Sequence, residues 1–336
     1  MSPEYLWNVW NRILRASPWE IVWGLLSSPV VCAALGIALA LVVVRARRGS
    51  STGRTVLREE RVAVGAIALV VGGVWIVDLA LRGYVLDMSA TVSWWRFALA
   101  PIAAAAGMAV WGALLRTKAP RRTVDATSAA RRTWRTFGSR RGIWILLALM
   151  VLTSCLVVVF GQMSTALDPG VAAHVALDVP NVEAPPIVTV FPGWAYGIPL
   201  LAGVVALAAA VVFALHRNAV RPFSDRVRLD LERSGRSDAA RDVVTLALGV
   251  VLIALGGLLH MARSGAVTTM IVMTDSGAEA RHDVSLPHAD LILAGGFLAP
   301  FLQIAGCVLL ALLVVHAIGL VRARPRRSAS PVEVPV

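Results

Sequence analysis

Seven long apolar segments, joined by connections that alternate between arginine-rich and arginine-poor, constrain this chain more than any other feature. A hydrocarbon core of about 30 Å requires roughly 20 apolar residues in a helix. Helices are the expected spanning form, because lipid leaves the backbone groups of open strands unsatisfied. The sequence therefore predicts an all-α membrane protein with seven transmembrane helices. The predicted spans are residues 21–44, 62–81, 97–115, 142–161, 193–215, 243–259 and 291–321.

The distribution of basic residues predicts the orientation of these helices. Of 32 Lys and Arg residues, 26 lie in residues 45–61, 116–141, 216–241 and 321–336. Basic connections stay in the cytoplasm, so the amino terminus is expected outside and the carboxyl terminus inside. The net charge of +12 is then a topology signal, and nucleic-acid binding is not expected. The arginine-rich, alanine-rich and valine-rich composition indicates a bacterial plasma-membrane protein.

Residues 1–20 precede the first span and carry two helix-start signals. Apolar residues recur at helical spacing from Leu6 to Leu14, which predicts a short amphipathic helix on the outer membrane surface. Residues Ser17–Glu20 match a capping box for the first span. The amphipathic helix is either an anchor that sets the entry angle of the span or a docking surface for a partner helix. At the other end, residues 322–336 are predicted to be a disordered cytoplasmic tail.

The two long connections on the predicted outer side show strand patterns. Both contain short runs that alternate between apolar and polar residues, and the second has a turn between two such runs, typical of a hairpin. Since two strands alone are only marginally stable, we expect both connections to pair into a small β-rich extracytoplasmic cap. The predicted strands are Val171–Val179, Ile187–Phe191, Ala266–Thr274 and Ala278–Leu286.

Two cytoplasmic connections carry short helix patterns. Residues 128–137 combine basic residues with aromatic anchors, a pattern that suits anionic lipid headgroups. The alternative is that these charges serve only to orient the helices. Residues 225–233 form a second, charged pattern, and Ser234 with Gly235 is expected to end that helix.

Charged groups inside spans are the first place to look for function in a membrane protein. Asp78 lies near the outer end of the second span, and Arg82 follows at i+4, the spacing of a local ion pair. The alternative is that Asp78 lies on a proton or solute pathway. Pro101, Pro199 and Pro300 occupy the outer halves of three spans, where they either line a cavity or form ordinary packing kinks.

The outer histidines are further candidates. Together with nearby aspartates they could form a metal site. However, His174 and Asp178 lie about 13 Å apart along a strand, and Asp290 is expected to cap the last helix. No metal or cofactor is therefore expected. The candidate histidines are His174, His260, His282 and His288.

The motifs of the common enzyme classes do not occur in the sequence. It contains no H-E-x-x-H zinc motif, no Walker A loop and no G-x-S-x-G, so no enzymatic activity is expected. A retinal Schiff base is excluded because the only lysine, Lys118, lies in a predicted cytoplasmic loop. We therefore expect a non-catalytic accessory, scaffold or sensory subunit that binds another membrane protein. The alternative is a small-molecule permease that uses the proline-containing helices and Asp78.

Overall fold

The computed structural model describes residues 17–47, 58–86, 88, 91–115, 139–168, 171–179, 186–221, 229–273 and 279–322. These residues are mostly helical, and six of the helices are long and apolar enough to cross a membrane. A further apolar helix, Leu99–Leu114, is shorter. The apolar helices are consistent with an integral membrane protein that crosses the bilayer several times.

The helices are α1 (Pro18–Leu26), α2 (Pro29–Arg47), α3 (Arg58–Ala80), α4 (Leu99–Leu114), α5 (Arg140–Met163), α6 (Trp194–Val220), α7 (Leu229–Ala266) and α8 (Ala289–Arg322). A π-helical turn, Leu81–Val85, continues α3. The strands are β1 (Thr165–Asp168), β2 (Val171–Leu177), β3 (Ile187–Val190), β4 (Val267–Met273) and β5 (Glu279–Ser285).

The segment predicted as the first span consists of two helices. Its start is as expected, because the Ser17 amide donates to Glu20 Oε2 at 2.7 Å and the Glu20 amide donates to Ser17 Oγ at 3.3 Å. This α1 helix ends at Leu26, however, and α2 begins at Pro29. Proline has no amide hydrogen to donate and suits the first position of a new helix. The proline therefore divides the continuous helix predicted over residues 21–44.

The prediction of a separate charged helix ending at Ser234 and Gly235 is wrong, since α7 runs without a break through both residues. A glycine inside a helix costs about 1 kcal/mol relative to alanine. Here that cost is opposed by an ion pair within α7 and by a hydrogen bond from α6. The Arg236 side chain pairs with Glu232 at 2.8 Å, and the Asn218 side chain of α6 donates to the Arg236 carbonyl at 2.9 Å.

Helix α8 packs against α2, α3 and α7 through glycines. A Cβ atom added to Gly36 of α2 would lie 2.5 Å from the Cβ of Cys307. One added to Gly249 of α7 would lie 3.1 Å from the Gly306 carbonyl oxygen. Small residues allow such close backbone approach, which stabilises helix pairs in lipid. Small residues therefore bring three neighbouring helices close to α8.

The strands predicted in the two long connections are present. Burial alternates along β2, with Ala173, Val175 and Leu177 buried. β2 pairs antiparallel with β3 and with β1, a strand that the sequence pattern missed. β4 and β5 form the predicted hairpin. The expected pairing between the two connections is not seen among the described strands, which form two separate sheets.

Both sheets lie at the same end of the helical bundle, which we call the strand end. Thr189 of β3 donates through Oγ1 to the carbonyl of Gly265, at the end of α7, at 3.1 Å. β1 follows α5 directly, and β4 follows α7 directly. The strand end is thus formed by the last turns of α5 and α7 and the first turns of α6 and α8.

Many of the arginines lie at the opposite end of the bundle, which we call the arginine-rich end. Arg61 Nε lies 2.8 Å from Asp242 Oδ2 and joins α3 to α7. Arg221 forms an ion pair with Glu60 and joins α6 to α3. Arg217 donates to carbonyl oxygens at the end of α4. Ion pairs and hydrogen bonds of charged side chains therefore connect α3, α4, α6 and α7 at this end.

Three predicted segments lie outside the described residues. They are the amphipathic helix before Ser17, the basic segment 128–137 and the tail after Arg322.

Candidate functional site

The ion pair predicted at the end of the second span is confirmed. Arg82 donates to Asp78 Oδ2 through Nε at 2.8 Å and through Nη2 at 2.5 Å. Trp95, from the segment before α4, donates through Nε1 to Asp78 Oδ1 at 2.9 Å. Asp78 is only 8% exposed. Both carboxylate oxygens are therefore engaged by protein donors, and Asp78 is the counter-charge of Arg82.

Arg82 lies in the π-helical turn that continues α3. The amide of Leu86 donates to the Leu81 carbonyl at 2.8 Å, which is the i to i+5 bond of this turn. Such turns are rare and occur frequently at functional sites, because the wider turn changes the direction of the side chains. Here the turn places Arg82 between the Asp78 carboxylate and a cavity at the strand end.

This cavity has a volume of about 350 Å³ and lies between the end of α3, the segment before α4, and the ends of β3 and α7. Its rim includes the exposed residues Thr91, Val190 and Ser264. Ligand pockets are typically about 300–1,000 Å³ in volume, so the cavity has the size of a small-molecule site. Its polar lining includes Arg82, Ser93, Arg96, Tyr196, His260 and Ser264.

A second, smaller cavity of about 30 Å³ adjoins the first and shares Arg82, Arg96 and His260 with it. It reaches Ile253 of α7 and Gln303 of α8. Its volume suffices for one water molecule. From Ser264 to Ile253 the helix rises about 16 Å at 1.5 Å per residue. The two cavities thus extend from the strand end toward the middle of the bundle.

On both sides of Gln303, α7 and α8 pack closely. A Cβ on Gly256 would lie 2.8 Å from the Ala299 carbonyl oxygen, and one on Gly306 would lie 2.6 Å from the Gly249 carbonyl oxygen. Gln303 itself is 4% exposed. Near Gln303, therefore, the space between α7 and α8 is occupied by their own backbones.

Two arginines, Arg82 and Arg96, line the cavity. Arg82 is paired with Asp78, whereas Arg96 has no acidic partner within ion-pair distance among the residues that the structure describes. Its guanidinium carbon lies 5.4 Å from the centre of the Phe97 ring. Burial lowers the pKa of Arg96 from its usual value, and the nearby Arg82 charge lowers it further, whereas Tyr196 and Asp78 act in the opposite direction. Arginine stays protonated in proteins. The described wall of the cavity therefore carries one uncompensated positive charge.

Of the candidate histidines, His260 is the one that lines the cavities with Arg82. His174 lies on β2 opposite Val190, and its ring is partly buried. His282 lies on β5 opposite Met270, and its side chain is outside the described part of the structure. Among the histidine side chains that the structure describes, His260 is therefore the candidate that belongs to this site.

The start of α8 differs from the expectation that Asp290 caps it. The helix begins at Ala289, and Asp290 lies in its first turn, where an acidic side chain still interacts favourably with the helix dipole. The exposed His288 precedes the helix with φ at 60°, a conformation that few residues other than glycine adopt. Within the described ranges, no three His, Cys, Asp or Glu side chains form a group that could hold a metal ion.

A second group of side chains at the strand end joins α1 to the bundle. The Arg263 guanidinium carbon of α7 lies 4.9 Å from the Trp23 ring centre and 4.2 Å from the Phe297 ring centre. The two rings are 4.7 Å apart. Cation–π contacts of this kind are worth about 0.5–2 kcal/mol. Arg263 therefore holds α1 against α7 and α8.

Sequence reasoning missed Arg96, Ser93, Trp95 and Tyr196. In the sequence, Arg96 is one of six basic residues that lie outside the four arginine-rich connections. The run Trp94-Trp95-Arg96 directly before an apolar span was the available signal, but nothing in it indicated that Trp95 donates to Asp78, 17 residues away.

Arg82, Arg96 and His260 therefore surround a cavity that opens at the strand end and narrows toward Gln303. Its chemistry is inferred from these residues. Comparison of the chain with protein-family models, with curated proteins and with solved structures found no match.

Proposed function

We propose that this protein is a non-catalytic membrane subunit with an accessory, scaffold or sensory role, and that its strand-end cavity faces the outside of the cell. One observation carries the proposal: the cavity is polar at its mouth and narrows at Gln303, where the α7 and α8 backbones are in contact. A ligand that enters can be held at the outer end. Close packing of α7 on α8 near Gln303 leaves it no space to pass between these two helices.

We also propose seven spans in a bacterial plasma membrane, with the amino terminus outside and the carboxyl terminus in the cytoplasm. The support is the arginine-rich end, since basic flanks stay in the cytoplasm. In this arrangement α1 and α2 form the first span together. The short α4 is extended by the hydrogen-bonded turn at Ala98, whose amide donates to Trp95 at 3.0 Å. Residues 97–115 then rise about 28 Å, close to the hydrocarbon thickness. The two sheets become an extracytoplasmic cap.

The partners that we propose are a second membrane protein and anionic lipid. Trp19 and Leu25 of α1 are exposed, at 65% and 57%, and offer an apolar surface to a partner helix within the membrane. At the arginine-rich end, each basic residue near an anionic leaflet is worth about 1 kcal/mol of attraction. These lipids would belong to the cytoplasmic leaflet, away from the cavity.

A small-molecule permease is the second candidate function, and Pro300 favours it. This residue lies inside α8, three positions before Gln303. Proline cannot donate to the carbonyl four residues earlier, which leaves the helix easier to bend there. Pro199 is similarly placed inside α6, whereas Pro101 lies in the first turn of α4, where proline is tolerated. Bending at Pro300 would be needed to open a route past Gln303.

The deciding experiment is mass spectrometry of the protein extracted gently from its native membrane. A stoichiometric partner supports the accessory or sensory role. Reconstitution of the purified protein alone in liposomes tests the permease, with uptake of organic solutes as the readout. Uptake by the wild type that is lost in Arg96→Gln and kept in Arg322→Gln would replace the proposed role with transport.

A further inference from the structure

We propose that the strand-end cavity binds a small organic monoanion through a carboxylate or phosphodiester group held by Arg96 and Arg82. This inference deepens the proposed sensory role by naming the class of ligand. It rests on the proposed function in one respect, namely that the ligand reaches the cavity from outside the cell.

The charge of the ligand follows from the ion pairs around the cavity. Asp78 accepts two hydrogen bonds from Arg82 and one from Trp95, so its charge is already matched by Arg82. Arg96 contributes a second positive charge to the same wall and meets no acidic side chain in the described part of the chain. A half-buried, unpaired cation is unfavourable in an environment of low polarity. A ligand with one negative charge would neutralise the unpaired positive charge of Arg96.

The arginine side chains favour an oxyanion over a spherical halide. A guanidinium group is planar and donates two parallel hydrogen bonds, which match the two oxygens of a carboxylate or phosphodiester. Nη1 of Arg82 is not used in its pair with Asp78. Ser93 and Tyr196 line the same cavity and supply hydroxyl donors. The site thus offers several donors around one position for an anion.

The remaining lining predicts an apolar body on the ligand. The apolar side chains of Leu79, Met88, Val190 and Met261 also line the cavity. A volume of about 350 Å³ exceeds what a bare carboxylate or phosphate group fills. A short-chain carboxylate dissolved in water and the headgroup of an anionic phospholipid both combine an oxyanion with apolar carbon. The experiment has to separate these two sources.

The test is ligand-induced thermal stabilisation of the full chain, delipidated in an uncharged detergent and held at constant ionic strength. Butyrate, butanol and butylamine serve as probes of equal length and different charge. Dimethyl phosphate and short-chain phosphatidylglycerol then compare a free phosphodiester with a lipid one. We expect butyrate to stabilise the protein and butanol and butylamine to have no effect. Stronger stabilisation by phosphatidylglycerol than by dimethyl phosphate and butyrate, if it is lost in Arg96→Gln, would identify a lipid as the source.

Arg96→Gln is the decisive variant, because it removes the unpaired charge without touching the Asp78 pair. We expect its apparent affinity for the stabilising anion to fall by about tenfold or more, as for the loss of a charge-assisted hydrogen bond. Arg322→Gln is the matched control for the water-soluble probes: it removes an equal charge from an exposed position at the far end of α8 and should bind butyrate and dimethyl phosphate like the wild type.

Two further variants keep the test decisive if Arg96→Gln does not fold. Arg96→Lys keeps the charge and loses the planar donor pair, and it should weaken binding. Val190→Trp leaves the charges unchanged and fills the mouth of the cavity from its exposed strand, and it should also weaken binding.

The proposal is overturned if butanol stabilises as well as butyrate, if no anion stabilises the wild type, or if the Arg96 and Val190 variants bind anions as tightly as Arg322→Gln does. These outcomes leave the accessory or sensory role standing, because a partner found by mass spectrometry does not depend on the ligand. Conversely, anion binding together with anion uptake in liposomes would retain the site and replace the role with transport.

Discussion

The indole nitrogen of Trp95 lies 2.9 Å from Oδ1 of Asp78, and this bond ties the segment before α4 to the end of α3. Without Trp95, Oδ1 of the buried Asp78 carboxylate would lose this hydrogen bond. The Asp78–Arg82 pair is thereby held in place beside the cavity, with Arg96 one residue beyond Trp95.

Replacement of Trp95 by Phe should destabilise the protein by about 1–3 kcal/mol, because a buried acceptor loses its hydrogen bond. The measurement is denaturant or thermal unfolding in detergent. Trp94→Phe is the control, since Trp94 is 54% exposed. The effect of Trp95→Phe should shrink in an Asp78→Asn background, because both changes remove the same bond. Equal effects in the two backgrounds would show that the bond contributes nothing.

Alanine at Gly65 should lower the melting temperature, because its Cβ would collide with Ala317 of α8. Overpacking of this kind costs about 1–3 kcal/mol. Alanine at Gly72, on the same helix, meets no atom within 4 Å and should be neutral or slightly stabilising, since alanine favours helix. The comparison of the two melting curves checks the packing of α3 on α8. A stable Gly65→Ala protein would contradict that packing.

Two ion pairs on α7 should respond differently to substitution. Arg236 is 0% exposed and pairs with Glu232 at 2.8 Å, so Arg236→Met leaves a buried carboxylate and should cost on the order of 3 kcal/mol. Arg233 is 62% exposed and lies 3.7 Å from Asp230, so Arg233→Met should leave stability within experimental error. Chemical unfolding of both variants provides the measurement. Equal losses would mean that α7 is not packed against α6 as described.

Single cysteines should report the orientation of the bundle in intact cells. Asp178 and Ser285 are exposed at the strand end, and Arg322 is exposed at the arginine-rich end. In a background without the three native cysteines, an impermeant maleimide should label Asp178→Cys and Ser285→Cys from outside. Arg322→Cys should react only after the cells are opened. The reverse pattern would invert the proposed topology and place the cavity in the cytoplasm.

The sequence predicted most of the apolar helices and four of the five described strands correctly, because hydropathy and alternation are local signals. It also predicted the Asp78–Arg82 pair, which depends only on i+4 spacing. The break before Pro29 and the unbroken path through Gly235 were missed, since each depends on how neighbouring helices pack. The cavity was missed for the same reason: Arg96 becomes a site residue only when α3, α4 and α7 meet.

The α8 helix joins the two ends of the molecule. It is a single helix of 34 residues, with Gln303 at the inner end of the cavities and Arg322 at its last turn. The rise between these residues is about 28 Å. Because glycine contacts hold α2, α3 and α7 on α8, a tilt of this helix at Gln303 displaces three neighbouring helices together. In the proposed sensory role, a ligand in the cavity would thereby shift the arginine-rich end of the bundle without any solute crossing the membrane.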